Sequence, residues 1–239
     1  MKSENKVLII GAYQGIGNRL AKLYLHNGDQ VFATYSKLKP KNFTSKNISF
    51  LKLELNNHRK FIIFINKLKK IKFDIVLFVA AVNANSKRIR KKYCMWNNLS
   101  IVEFIKMLSI NCFSHIKILE LMMKKKILNS KAKMIFFSSL AGSIHNRGKL
   151  KHNKKGGDLI YRISKAALNV AVKNIAYDFN DTNYSIVAVH PGWVKTRMGG
   201  KNADLSIAYA SKKIFNLIND LKSKDTGKFL NYDGRIIKW

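Results

Sequence analysis

The chain has 239 residues, 47% of them hydrophobic, which is enough to bury a substantial core without disulfides or a structural metal. Its 45 Lys and Arg against 13 Asp and Glu give a formal charge of +32, while Cys94 and Cys112 show neither a C-x-x-C spacing nor a disulfide framework. The first apolar run, Val7 to Ile10, is too short for a signal-peptide core, and later runs are broken by lysines, so a cytoplasmic protein with no membrane partner is expected.

The lysines run from Lys2 to Lys238 without gathering beside arginines and aromatics on one element. We read this as compositional bias. It predicts nonspecific, salt-sensitive attraction to polyanions rather than recognition of a nucleic acid.

In chain order, short apolar runs predict strands at Lys6–Ile10, Gln30–Tyr35, Ile48–Leu53, Asp74–Ala80, Lys133–Ser138 and Ser185–His190, with a short one near Lys228–Leu230. Helical patterns fall between them at Ile16–Asn27, His58–Ile71, Asn98–Asn129, Tyr161–Phe179 and Ala203–Leu221. This alternation predicts one doubly wound α/β Rossmann domain over residues 1–239, with a mainly parallel seven-stranded sheet. A long loop with glycines at 148, 156 and 157 is expected from Asn146 to Asp158.

The first strand runs directly into Gly11-Ala12-Tyr13-Gln14-Gly15-Ile16-Gly17 and then a helix. A sharp strand-to-helix turn needs glycine dihedrals, and a pyrophosphate must approach backbone N–H groups that a Cβ would obstruct. This context predicts a dinucleotide site using Gly11, Tyr13, Gln14, Gly15, Ile16 and Gly17. The second strand ends in Thr34-Tyr35-Ser36-Lys37, without the acid that would hold a ribose 2′-hydroxyl, so NADPH is expected over NADH, with Ser36 and Lys37 at the 2′-phosphate. Glu54, past the third strand, is a candidate acceptor for the adenine amine.

Tyr161 and Lys165 stand four residues apart, on one face of the predicted helix. A free phenol titrates at about 10, and a neighbouring ammonium favours its phenolate. Ser138-Ser139-Leu140-Ala141-Gly142 precedes this pair, Asn111 lies in the earlier long helix, and His190-Pro191-Gly192-Trp193-Val194-Lys195-Thr196 follows the sixth strand.

Together these segments resemble the short-chain dehydrogenase/reductase family over nearly the whole chain, and within it the C-factor and sniffer-like carbonyl reductase branch. The branch resemblance rests on Tyr161 to Asn169, the Pro-Gly-Trp-Val-Lys-Thr stretch, and Phe229 to Gly234 followed by Trp239. Ser139 and Tyr161 are 22 positions apart, longer than usual for the family, a feature this branch shares. The resemblance implies that Tyr161 is the proton donor in carbonyl reduction and that Lys165 lowers its pKa and holds the nicotinamide ribose. Ser139 would bond the substrate carbonyl, and Asn111 would anchor a water chain to Lys165. Ala80 and Ala81 would line the cofactor, and Pro191, Gly192, Val194 and Thr196 would close on the nicotinamide carboxamide. It also implies a small carbonyl or alcohol substrate and a homodimer or homotetramer.

Two departures stand out. Phe78-Val79-Ala80-Ala81 replaces the family's Asn-Asn-Ala-Gly, and Ile10 replaces a frequent threonine before the first glycine. With the high charge, the first departure motivates an alternative, a catalytically weak binding protein on the same fold. No metal site is expected. The segment Gly199–Tyr209 occupies the position of the family's substrate lid, with Gly199 and Gly200 as hinges.

Overall fold

The computed structural model describes residues 4–41, 43–83, 94–149 and 158–239. Gly156 and Gly157 lie outside the described residues. Alternating apolar side chains in each strand face two separate cores. On β1 (Lys6–Ile10), Leu8 and Ile10 enter one core while Val7 and Ile9 enter the other. A strand buried on both faces reads as a continuous apolar run, and β8 (Ser185–His190) is buried at every position.

Seven strands form one parallel sheet. After β1 come β2 (Gln30–Tyr35), β3 (Ile48–Lys52) and β4 (Phe73–Phe78). A two-residue hairpin, β5 (Cys94–Met95) with β6 (Asn98–Leu99), stands apart from the sheet. Then β7 (Leu128–Phe137), β8 and β9 (Phe229–Asn231) complete the order β3-β2-β1-β4-β7-β8-β9. The chain reverses its direction of travel across the sheet between β3 and β4, so β1 and β4 flank the crevice where doubly wound folds bind ligands.

Helices α1 (Gly15–His26) and α6 (Ile207–Asp220) cover one face, packing Leu20, Tyr24 and Ile214 against Val7, Ile9 and Val187. Helices α2 (Phe61–Lys67), α4 (Ser114–Lys124) and α5 (Leu159–Asp178) cover the other face, with α3 (Ile101–Leu108) packed against α5. No helix among the described residues is long and apolar enough to cross a membrane.

The helix expected over Asn98–Asn129 is several elements instead. Asn98 and Leu99 pair in the hairpin, and Ser100 Oγ caps α3 by accepting from Glu103 N at 3.5 Å. A single π turn, Ser109–Phe113, then joins α3 to α4. The chain reverses at Lys126, whose φ of 53° is in the left-handed region, and buried Ile127 and Leu128 lead straight into β7. The strand therefore starts at Leu128, not at Lys133. Likewise α6 begins at Ile207 rather than Ala203, because Ser206 Oγ accepts from Tyr209 N at 3.1 Å and fixes the cap there. The helix expected over His58–Ile71 is a 3-10 turn, His58–Lys60, followed by the seven residues of α2.

At the sheet centre the rings of Phe78 and Phe136 stack with centroids 4.3 Å apart, both fully buried on adjacent strands. Phe78→Ala is expected to lower the unfolding free energy by about 3–5 kcal/mol, seen as a fall in the urea midpoint at unchanged slope. A loss below about 1 kcal/mol would show that this stack does not hold β4 against β7.

Candidate active site

A cleft of about 1510 Å³ opens over the carboxyl ends of β1, β2, β4, β7 and β8. At its first wall the chain leaves β1 at Gly11, with φ of +99°, and turns into α1. A Cβ at Gly11 would lie 2.7 Å from Ala80 Cβ, and one at Gly17 would lie 2.2 Å from Gly11 O. Only hydrogen fits at either position. Gly11 N donates to Thr34 Oγ1 and Ala12 N to Thr34 O, each at 2.9 Å, so β2 holds the turn from beneath. Gln14 places no side-chain cap on α1, and no acid stands in its first turn. The positive helix end thus borders the cleft uncapped. Tyr13, Gln14, Gly15, Ile16 and Gly17 all line the cleft.

Further along the same wall, Ser36 lines the cleft, whereas Lys37 is exposed and outside the lining. Glu54 is also outside it. The Glu54 carboxylate lies 3.5 Å from Lys52 Nζ and 3.9 Å from Lys60 Nζ, while its neighbours Leu53 and Leu55 face the cleft. At the end of β3 the Glu54 side chain is turned toward these lysines. Ala80 and Ala81 line the cleft opposite the glycine turn. Behind Ala80 sits His115, fully buried on α4, with Nε2 2.8 Å from Ala80 O. A carbonyl only accepts, so Nε2 carries the proton and donates. Burial first, then the Lys165 charge, pushes this imidazole down to about 3, so it stays neutral.

The opposite wall carries the proton-transfer candidates. At the end of β7, Ser139 opens a 3-10 turn, Leu140–Gly142, and its Oγ accepts from Ala141 N at 3.1 Å. A Cβ on Gly142 would lie 2.6 Å from the Lys165 carbonyl carbon, so this turn rests directly on the backbone of α5. Asp158 caps α5 by accepting from Tyr161 N at 3.1 Å. One turn separates Tyr161 from Lys165, and both line the cleft. Ser139 lines the same cleft and lies near enough to the Tyr161 phenol to favour its ionised form.

Lys165 is 1% exposed, its Nζ donating to Phe137 O at 2.8 Å and lying 5.9 Å from the Tyr161 ring centroid. Burial brings its ammonium down to about 8. Burial also pushes the Tyr161 phenol up to about 12, against the influence of Ser139 and with help from the Asp158 charge. The expected lowering of the phenol by Lys165 is therefore not met in the protein alone. The ammonium is turned toward the Phe137 carbonyl, and desolvation prevails.

Asn111 sits in the π turn, fully buried and outside the cleft lining. Its amide pairs with the backbone of Val82, Oδ1 accepting from Val82 N at 2.7 Å and Nδ2 donating to Val82 O at 2.8 Å. Nδ2 also reaches Ser164 Oγ at 3.0 Å, and Ser164 Oγ donates to Tyr161 O at 2.8 Å. Asn111 thus ties the chain after β4 to the helix that carries Tyr161.

Past β8, Pro191, Gly192, Val194 and Thr196 line the cleft, and Thr196 Cγ2 would lie 3.4 Å from a Cβ on Gly15, across its mouth. Trp193 Nε1 donates to Gly199 O at 2.8 Å. Gly199 itself is packed tightly, since a Cβ there would lie 2.0 Å from Val194 O. That glycine serves close packing rather than the free hinge expected of it. Two residues of the site carry no motif in the sequence: His115 behind Ala80, and Arg162, which lines the cleft beside Tyr161.

Residues 5–205 match the family described as short chain dehydrogenase. The chain is 27% identical over 155 residues to the C-signal protein of Myxococcus xanthus, covering 65% of this chain and 90% of that one. Among solved structures, the carbonyl reductase Sniffer of D. melanogaster superposes with a TM-score of 0.82 at 27% identity, covering 99% of this chain and 100% of that one. An NADPH-bound carbonyl reductase from chicken fatty liver gives a TM-score of 0.80 at 25% identity, covering 99% of each chain.

The buried ammonium has a consequence for stability. Between about pH 8 and its ordinary range the unfolded chain keeps a proton on Lys165 that the folded chain has shed. Stability contributed through this group therefore rises with pH across that window. The unfolding free energy of the wild type, measured relative to Lys165→Met, is expected to climb between pH 8 and about pH 10. A flat difference would mean that the ammonium is solvated.

Proposed function

The chain belongs to the short-chain dehydrogenase/reductase family and is an oxidoreductase; on that premise we propose that it reduces the carbonyl of a small molecule to an alcohol with NADPH. The observation that carries this reading is Ser139, Tyr161 and Lys165 together on the wall of a cleft whose other wall is the glycine turn.

The turn fits a pyrophosphate. Gly11 and Gly17 let the turn close against Ala80 and on itself, where a Cβ would clash, and the uncapped end of α1 supplies N–H donors and a positive dipole end. Gly15, Ile16 and Gly17 would hold the phosphates, with Thr196 closing from the far side. Ser36 would meet the 2′-phosphate at the end of β2, where Thr34-Tyr35-Ser36-Lys37 contains no acid to repel it. Lys37 stands exposed next to it in the chain as a countercharge. The nicotinamide cofactor, when bound, supplies the hydride.

The rest is done by side chains. Ser139 donates to the substrate carbonyl oxygen and steadies the charge that develops there. Tyr161 delivers the proton to that oxygen. A phenol pushed up to about 12 is protonated at neutral pH, which is the state needed for an acid, so the resting site is set for reduction. Lys165, held close to neutrality by burial, can pass a proton onward at little cost. Asn111 fixes the chain around Val82 to α5 and so keeps Tyr161 facing the cleft.

Tyr161→Phe removes the donated proton and is expected to lower turnover by about 10²- to 10⁴-fold while NADPH affinity is retained. Steady-state rates and a fluorescence titration with NADPH and NADH, in salt high enough to screen the chain's charge, measure both quantities. Retained turnover would remove Tyr161 from its role. Tighter binding of NADH would overturn the cofactor assignment.

A further inference from the structure

The charged residues lining the cleft are Arg162, Lys165, Lys195 and Arg197, and no carboxylate lines it among the described residues. They divide into two groups. Lys195 and Arg197 flank Thr196, which faces Gly15 at the glycine turn, so they stand at the phosphate end. Lys165 is buried and bonded to Phe137 O. Arg162 is different. It follows Tyr161 on α5, is half-buried, and lines the cleft in which the substrate must sit if Tyr161 is to reach it.

A second guanidinium lies within electrostatic reach. Burial first, then the like charge of Arg147, holds Arg162 below its ordinary range, and Asp158 offsets this only in part. With no carboxylate in the lining among the described residues, this end of the cleft is cationic. The segment bearing Arg147 is also tied down. Arg147 N donates to Ile144 O at 3.1 Å, His145 N to Trp239 O at 3.0 Å, and Ser143 Oγ to Lys238 O at 2.6 Å. His145, between these anchors, is held below its ordinary value by desolvation and by Lys149 and Lys238, in line with a positive local field.

Resting on the reductase reading, we propose that the substrate is a carbonyl compound bearing a carboxylate, whose carbonyl meets Ser139 and Tyr161 while its carboxylate is held by Arg162 with Arg147 behind it. A guanidinium presents planar paired donors that match a carboxylate, and in a half-buried site such a contact is stronger than on open surface. Scattered surface lysines give only long-range attraction, which salt screens. The arginine pair gives a local contact that persists.

The test compares 4-carboxybenzaldehyde with 4-formylbenzamide, which has nearly the same shape without the charge, using NADPH at high ionic strength. The wild type is expected to favour the acid in kcat/KM by about tenfold or more, the size of one strong charge-assisted contact. Arg162→Gln should bring the ratio close to one, Arg162→Lys should keep part of it, and Arg147→Gln, on an exposed turn, should lower it by a smaller factor. Equal use of both aldehydes by the wild type, or a ratio untouched by Arg162→Gln, overturns the proposal while leaving the reductase reading in place. If neither aldehyde is turned over, that reading fails separately. Calorimetric binding of the two compounds to NADPH-saturated protein then decides the carboxylate preference, equal affinities overturning it and tighter binding of the acid upholding it.

Discussion

The site depends on one constraint, the placement of an ammonium where water does not reach. Lys165 is 1% exposed, and among the described residues its ammonium is bonded to one carbonyl, that of Phe137 at the end of β7. For this bond to form, α5 must lie close over the strand end. Gly142 makes the approach possible by letting the turn after β7 rest on the α5 backbone, where a Cβ would lie 2.6 Å from the Lys165 carbonyl carbon. The same approach brings Ser139 to Tyr161. Strand end, 3-10 turn and helix are thus one unit, and loss of contact at any point would leave a charge desolvated and unpaired.

The opposite wall shows how the fold accommodates its departures from the family pattern. Phe78, where an asparagine is usual, is built into the core by stacking on Phe136, so the polar anchor it replaces has to come from elsewhere. His115 supplies one by donating to Ala80 O from behind. It can do so at any ordinary pH because burial keeps it neutral. Ile10 likewise brings no hydroxyl to the glycine turn, but Thr34 on the neighbouring strand accepts from Gly11 N. In both places the backbone of the cleft keeps its support although the supporting atom comes from a different element.

What the sequence makes legible follows from how local each signal is. The strands and the glycine turn are readable because continuous apolar runs and a tight turn are set by neighbours in the chain, and Tyr161 with Lys165 because helical spacing alone puts them on one face. The long predicted helix fails for a complementary reason. Asn98–Asn129 has helical composition throughout, yet pairing of Leu128 with Phe73 and a left-handed Lys126 end it early, and these are set by the sheet. The π turn is equally hidden, although it is the element that holds Asn111. At Glu54, sequence position gives the end of β3 but not the side on which Lys52 and Lys60 wait. His115 and Arg162 become visible only when Ala80 and the cleft are in view.

The charge of +32 acquires its meaning from the same distinction between local and distributed effects. Spread along the sequence, such a charge is expected to draw polyanions in a way that weakens with salt. Within the cleft its consequences are specific, because charges there meet low-dielectric walls and fixed partners. Lys165 is bonded to backbone beside the phenol, Lys195 and Arg197 stand with the phosphate-facing turn, and Arg162 stands beside Tyr161. Among the described residues the charges that line the cleft all have one sign, which suits an anionic ligand. Such a site gains selectivity from the placement of a few cations, whatever the total carried by the rest of the chain.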